Sequence, residues 1–342
     1  MSEDAQTLDV AAVSRYLETH FPGFSGPLQV RKFSNGQSNP TFQLITPDQT
    51  LVLRRKPPGT LLKSAHAVDR EFRVQRALAD TDVPVARMHL LCEDPDVIGS
   101  TFYVMEHIDG RNFLDPTMPT VDAQTRSGVV DQMNTVLAAL HMVDVDAVGL
   151  GDYGPPGNYL ERQLGRWTKQ YRASETTKIT EMDDLIAALE QALPPDDGQR
   201  TLVHGDYRID NMIFDRTGTK CLAVLDWELS TIGHPYADLA SVIMQWQLPP
   251  GEEGRGLAGV DRAALGLPSD QAFIEAYCRR RGLSEIQYFN VFLSFSFFRM
   301  AAIIQGVLKR ALDGNASNPE RAMQLGQFVP LFARHGVQAL RG

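Results

Sequence analysis

The sequence predicts an α+β fold in two lobes. A small lobe of mostly antiparallel sheet with one inserted helix is expected over residues 1–110, and a larger, mainly helical lobe over residues 111–342. Three observations predict this. Short apolar runs separated by turn residues fill the first stretch. Past Gly110 the apolar residues recur at helical spacing. Short strand-like runs return around residues 202–226, where they frame a dense polar motif.

The elements follow in order. Val10 to Phe21 has amphipathic helical spacing and stops at Pro22-Gly23. Leu28 to Phe33 reads as a strand leading into the turn-rich Ser34-Asn-Gly-Gln-Ser-Asn-Pro40. Thr41 to Thr46 and Thr50 to Arg54 are strands on either side of a Pro47-Asp48-Gln49 turn, and Pro57-Pro58-Gly59 then breaks the chain. Ala65 to Asp80 is the inserted helix; Met88 to Cys92 and Thr101 to Glu106 complete the sheet. Val121 to Val143, Tyr159 to Ala173 and Thr180 to Leu193 read as helices, closed by Pro194-Pro195. From Ala237 the pattern is again mostly helical, apart from a polar loop from Leu248 to Gly259.

A chain of 342 residues, 43% of them hydrophobic and 22% charged, is long enough for two domains or lobes. Its formal net charge of −9 argues against nucleic acid as a partner, which calls for basic stripes. Cys92, Cys221 and Cys278 lack CxxC spacing and read as reduced thiols. The start, Met-Ser-Glu-Asp-Ala-Gln, has no basic and then apolar stretch, so no signal peptide is expected. The most apolar segment, Val291 to Leu308, contains Ser294, Ser296, Arg299 and Gln305 and reads as a buried core helix, not a membrane span. The expectation is a cytoplasmic protein without a membrane partner.

The chemistry concentrates in Leu202-Val-His-Gly-Asp-Tyr-Arg-Ile-Asp-Asn-Met-Ile-Phe214 and Ala223-Val-Leu-Asp-Trp-Glu228. Asp206, Asn211 and Asp226 lie in short polar bends framed by apolar runs, and buried strands would hold such bends rigidly. Two carboxylates and an amide oxygen can orient a hydroxyl and hold Mg²⁺, which takes oxygen ligands and shares its shell with phosphate and water. That is equipment for phosphoryl transfer, which works by positioning and charge neutralisation. A sheet-rich lobe, a strap near Glu106 to Asp115 and a helical lobe together describe a bilobal kinase architecture, with the active site expected in the cleft between lobes.

The chain resembles the aminoglycoside phosphotransferase/choline kinase family, relatives of protein kinases, over nearly its whole length. His204-Gly-Asp206 with Asn211 resembles that family's catalytic loop, and Leu225-Asp226-Trp-Glu228 its metal-binding segment. Further pieces narrow the match: Gly36-Gln-Ser-Asn-Pro-Thr-Phe42, Val52-Leu-Arg-Arg-Lys-Pro-Pro-Gly59, Arg70-Glu-Phe-Arg73, Phe102-Tyr-Val-Met-Glu106, Arg166-Trp167, Trp227-Glu-Leu-Ser-Thr-Ile-Gly233 and Asp238-Leu-Ala240. They resemble the branch whose kinase domain occurs alone in bacteria and joined to acyl-CoA-dehydrogenase modules in animals, a branch that includes kinases of hydroxyacyl-CoA. The sequence ends with the kinase pattern, so no dehydrogenase module is expected.

The resemblance implies a role for each residue. Asp206 is the catalytic base, contributing more by orienting the hydroxyl than by removing its proton. Asn211 and Asp226 are the Mg²⁺ ligands; Glu228 either reaches the metal through water or salt-bridges locally. His204 and Asp238 hold the catalytic loop. The loop with Gly36, Gln37, Ser38 and Asn39 covers the ATP phosphates. Arg54 takes the place of the usual phosphate-binding Lys, with Lys56 as the alternative, and Glu71 is its ion-pair partner. The Glu106 carbonyl and the Ile108 N–H pair with adenine. Arg162, Arg166, Lys169 and Arg172 either meet an anionic group such as a CoA phosphate or form a solvated helix face.

The expected function is an ATP- and Mg²⁺-dependent kinase of a small-molecule hydroxyl substrate, with hydroxyacyl-CoA or a related metabolite first and an aminoglycoside second. A nucleotide-binding module without turnover is the non-enzymatic alternative. A protein kinase fits poorly, because no Ala-Pro-Glu pattern follows Asp226-Trp-Glu228.

Overall fold

In a computed structural model, the structure describes residues 8–33, 39–57, 67–251, 255–316 and 318–341. The chain divides into two compact units, one of residues 1–112, 146–150 and 211–230, the other of residues 113–145, 151–210 and 231–342.

The first unit is built on an antiparallel sheet of β1 (Gln29–Lys32), β2 (Thr41–Ile45), β3 (Thr50–Arg55), β4 (Met88–Cys92) and β5 (Phe102–Glu106), in the order β1-β2-β3-β5-β4. Strand period two explains how it is covered. Phe102 and Val104 of β5 join Phe42, Leu44, Leu51 and Leu53 in a cluster with Ala12, Val13 and Leu17 of helix α1 (Val10–His20). Asp9 starts that helix by accepting a hydrogen bond from the Ala12 N–H. The intervening Tyr103 packs with Val68 and Phe72 of helix α2 (Val68–Leu78).

Two later segments complete this unit. After α3 (Ala123–Met142), α4 (Tyr159–Ser174), α5 (Thr180–Ala192) and β6 (Thr201–Val203), which belong to the second unit, the hairpin of β7 (Met212–Phe214) and β8 (Cys221–Val224) returns to the first. The Val224 N–H donates to the Pro84 carbonyl at 2.9 Å, and Arg111 and Phe214 exchange two backbone hydrogen bonds of 2.8 Å. Gly110 sits tightly against this hairpin.

In the second unit, β6 pairs antiparallel with β9 (Thr231–Gly233). Helices α6 (Tyr236–Trp246), α7 (Arg262–Leu265), α8 (Asp270–Arg281), α9 (Phe289–Leu312), α10 (Pro319–Gly326) and α11 (Val329–Arg341) follow. Helix α9 packs against α4, α5, α6, α10 and α11. Its Phe292, Phe295, Phe297 and Phe298 are all buried, each contributing about 1.5–3 kcal/mol of apolar burial. By length and composition α9 is apolar enough to cross a membrane, yet 61% of that stretch is buried. The expected Val291–Leu308 helix is thus the inner helix of this unit.

The contacts of two glycines set a stability prediction. A Cβ at Gly110 would meet Ile213 Cγ2 at 2.4 Å and the Phe214 carbonyl oxygen at 2.5 Å, whereas one at Gly165 on α4 meets nothing within 4 Å. Gly110→Ala is expected to cost about 1–3 kcal/mol through overpacking. Gly165→Ala is expected to gain about 0.5–1 kcal/mol in helix stability. Urea denaturation of the two variants checks both signs.

Candidate active site

The β7–β8 hairpin brings two predicted metal ligands side by side. Met212 pairs with Val224, so Asn211, just before β7, lies against Leu225 and Asp226, just after β8. The Leu225 N–H donates to the Asn211 carbonyl at 2.7 Å. Asp226 then adopts left-handed backbone (φ 63°, ψ 60°) and opens a 3₁₀ turn over Trp227–Leu229. Asp is among the residues that tolerate this region best. Its side chain does not cap the turn. Instead Arg54 Nη2 donates to Asp226 Oδ1 at 2.9 Å. Below, the buried Trp227 fixes the turn by donating from Nε1 to the Val224 carbonyl.

Arg54 also holds Glu71. Its Nε lies 2.9 Å from Glu71 Oε2, an ionic contact without hydrogen-bond alignment. The Glu71 side chain is 1% exposed and also accepts from Asn39 Nδ2 at 2.8 Å and from the Tyr103 hydroxyl at 3.1 Å. Burial pushes the Glu71 pKa up, against the pull of Arg54. Burial likewise pulls Arg54 down, but Glu71, Tyr103, Asp226 and Glu228 outweigh it and keep the guanidinium charged. Removing one partner of such a buried pair costs about 3–5 kcal/mol, since it strands the other charge. Lys56 is engaged elsewhere, 3.1 Å from Asp69 Oδ1.

In the second unit, Asp206 sits on the loop after β6. Asp238, on α6, accepts from the backbone N–H groups of His204 at 2.7 Å and Gly205 at 2.9 Å. Gly205 has φ 84°, a conformation suited to glycine, and the Asp206 N–H then donates back to His204 Nδ1. His204 is fully buried, so the ring serves loop geometry. Arg299 Nη2 donates to the Gly205 carbonyl at 2.8 Å. Behind Asp238 a buried chain of contacts runs from Arg281 Nη1 to the Tyr277 hydroxyl (2.7 Å), on to His141 Nδ1 (2.7 Å), and from His141 Nε2 to Asp238 Oδ2 (3.5 Å). Arg281 can only donate, so the Tyr277 proton points to Nδ1 and the Nε2 proton faces Asp238. Burial lowers the His141 pKa, against the pull of Asp238. Burial alone would raise Asp238, but His141, His204 and the Gly205 N–H together hold it below the usual carboxylate range.

The structure therefore brings Asn39, Arg54, Glu71, Asn211 and Asp226 together in the first unit and places Asp206 in the second. Gly36, Gln37 and Ser38 lie outside the described residues. The Asn39 amide is committed to Glu71, because a carboxylate that deeply buried needs donors. Glu106 is exposed at the end of β5, where it accepts from the Arg87 N–H, and Ile108 is half-buried just beyond. On α4, Arg172 pairs with Glu175 and Asp183, which removes it from the candidate substrate set. Sequence reasoning missed the Arg54–Asp226 bond, the Tyr103 hydroxyl and the Arg299 contact to the loop. Their partners lie far away in the chain, and no local spacing marks them.

Among the described residues no three His, Cys, Asp or Glu side chains gather as a metal cage. Mg²⁺ asks for less: one or two carboxylates, with phosphate and water completing the shell. Asp226 fits, since Arg54 engages only Oδ1 and the side chain keeps 33% exposure. Asn211 beside it supplies the second oxygen type.

Comparison with known proteins adds the family context. The model of the phosphotransferase enzyme family matches residues 29–281. Acyl-CoA dehydrogenase family member 10 of Mus musculus is 44% identical over 94% of the chain, and the chain spans 30% of that relative's length. A solved protein of Ralstonia eutropha, described as a candidate aminoglycoside phosphotransferase, is 47% identical with a TM-score of 0.90, covering 98% of this chain and 99% of that one. Aminoglycoside phosphotransferase APH(4)-Ia, solved with AMP-PNP and hygromycin B, superposes with a TM-score of 0.62 over 97% and 99% of the two chains; at 16% identity this shows the fold alone.

The buried Asp238 chain makes stability depend on pH. Both His141 and Asp238 are lowered in the folded protein, from ordinary values of 6.5 and 3.8. The unfolded chain therefore takes up more protons as pH falls. Stability is expected to be full above pH 6.5, to decline as His141 charges below it, and to decline again below pH 3.8. Asp238→Asn should cost about 3 kcal/mol at neutral pH and flatten the more acidic branch. Denaturation midpoints between pH 3 and 8 measure both.

Proposed function

The chain belongs to the phosphotransferase enzyme family, and from that premise we propose that it is an ATP- and Mg²⁺-dependent kinase acting on the hydroxyl of a small molecule. The observation that carries this reading is the double engagement of Arg54. One guanidinium, kept charged, bonds the buried Glu71 on one side and Asp226 on the other, with Asn211 beside it. Glu71 fixes the guanidinium so that it meets phosphate oxygens without first losing side-chain freedom. Asp226 and Asn211 would hold Mg²⁺. Bound with the nucleotide, the metal neutralises charge on the phosphate oxygens.

Asp206 is assigned to the acceptor. Its loop is held by Asp238, His204 and Arg299, so its carboxylate stands ready to accept a hydrogen bond from the hydroxyl and aim the oxygen. Phosphoryl transfer leaves the protein little covalent work, so the rigidity of these two clusters is the catalytic contribution. For the acceptor we favour a hydroxyacyl-CoA or related metabolite. The relative named acyl-CoA dehydrogenase family member 10 supports this. The description of the Ralstonia eutropha protein supports an aminoglycoside as the second reading.

Asp206→Asn and Asp226→Ala are expected to lower ATP-dependent phosphorylation about 10²–10⁴-fold, with circular dichroism unchanged and AMP-PNP binding kept in Asp206→Asn. Near wild-type turnover in Asp206→Asn would remove it from the mechanism. A melting screen with AMP-PNP–Mg²⁺ and a panel of hydroxyacyl-CoA and aminoglycoside compounds separates the acceptors, since a ligand that binds the native state raises its midpoint. The expected result is a rise with hydroxyacyl-CoA and none with aminoglycosides.

A further inference from the structure

Several arginines of the second unit pair with no carboxylate among the described residues, and three of these gather around two aromatic rings: Arg162 and Arg166, one turn apart on α4, and Arg299 on α9. Arg166 and Arg299 stand against the same indole, with Cζ 5.6 and 5.7 Å from the Trp167 ring centre. Arg162 lies over Tyr159 at 6.0 Å. All three act on the Tyr159 hydroxyl, whose pKa is raised by burial and by Asp238 while Arg299, Arg162 and Arg166 push it back. Two buried donors here, Arg162 Nε and Trp167 Nε1, have no hydrogen-bond acceptor among the described residues. Arg172 on the same helix shows the contrast, being neutralised by Glu175 and Asp183.

Three guanidiniums set around two neighbouring rings repel one another, and an oxyanion docked among them relieves that repulsion. The rings restrain the guanidinium planes by cation–π contact, so little freedom is lost when an oxyanion docks. Arg forks match phosphate and carboxylate geometry with two parallel N–H donors. The location is informative too, because Arg299 also donates to the carbonyl of Gly205, the residue before Asp206.

We propose that Arg162, Arg166 and Arg299, backed by Tyr159 and Trp167, form a binding site for an anionic group of the acceptor, a phosphate or a carboxylate, beside the loop that carries Asp206. This rests on the kinase reading for its role, and it favours an anionic acceptor over a polycationic one, which would meet like charge here. The acceptor is held at its anionic end, and its hydroxyl is presented to Asp206.

The test uses the full chain. Inorganic phosphate and succinate are titrated separately at constant ionic strength, with and without saturating AMP-PNP–Mg²⁺, and thermal midpoints are read. At least one anion should raise the wild-type midpoint, and the stronger of the two identifies the group. Arg162→Gln/Arg166→Gln should weaken that response by about tenfold or more, while Arg172→Gln should respond as wild type. The Arg162→Lys/Arg166→Lys pair keeps the charge and should retain a weakened response, which covers any folding defect of the Gln pair. Equal titration in wild type and both double variants, or no response of wild type to either anion, overturns the proposal. An absent AMP-PNP–Mg²⁺ shift alongside Arg-dependent anion binding sinks the kinase reading and keeps the site.

Discussion

The first unit depends on how one buried carboxylate is kept tolerable. Glu71 is 1% exposed, and burial works against its ionised form. Arg54, Asn39 and Tyr103 converge on it from three elements of the chain, so satisfying one charge fixes β3, β5, α2 and the end of the loop before β2 together. The same guanidinium reaches Asp226, and the left-handed turn after β8 is thereby tied to the sheet. An electrostatic requirement thus organises this cluster of polar side chains.

The second unit applies the same logic with backbone donors in place of side chains. There the buried charge is Asp238, and its donors are the backbone N–H groups of the loop that ends in Asp206. The loop is braced from one side by α6 and from the other by Arg299 of α9. Because α9 is also the inner helix of this unit and packs against α6, the loop is tied to the aromatic core both through Arg299 and through Asp238. Hydrophobic packing supplies the frame, and a few charge-assisted bonds aim it.

Much of this was legible in the sequence, and the limits have physical causes. Strand period and helical spacing located β1 to β5, α1, α3, α4 and α5 to within a few residues, because burial imposes those periods directly. The Arg54–Glu71 pair, Asp238 as an anchor and His204 as a structural ring were readable through motif resemblance. The Arg54–Asp226 bond was not, since its partners are brought together by a hairpin whose attachment runs through backbone atoms of Pro84 and Arg111, which leave no residue signature. Similarly, Arg162, Arg166 and Arg172 look alike in sequence. Only the position of Asp183 and of Trp167 separates a structural ion pair from two arginines that face aromatic rings instead.

The composition of the first unit has a practical consequence. Because residues 146–150 and 211–230 complete it, a recombinant fragment stopping at residue 112 would lack the strands that bond Pro84 and Arg111 and would leave Arg54 without Asp226. The first unit is therefore not a severable cassette. Transplanting it between relatives would require grafting three pieces of chain at once.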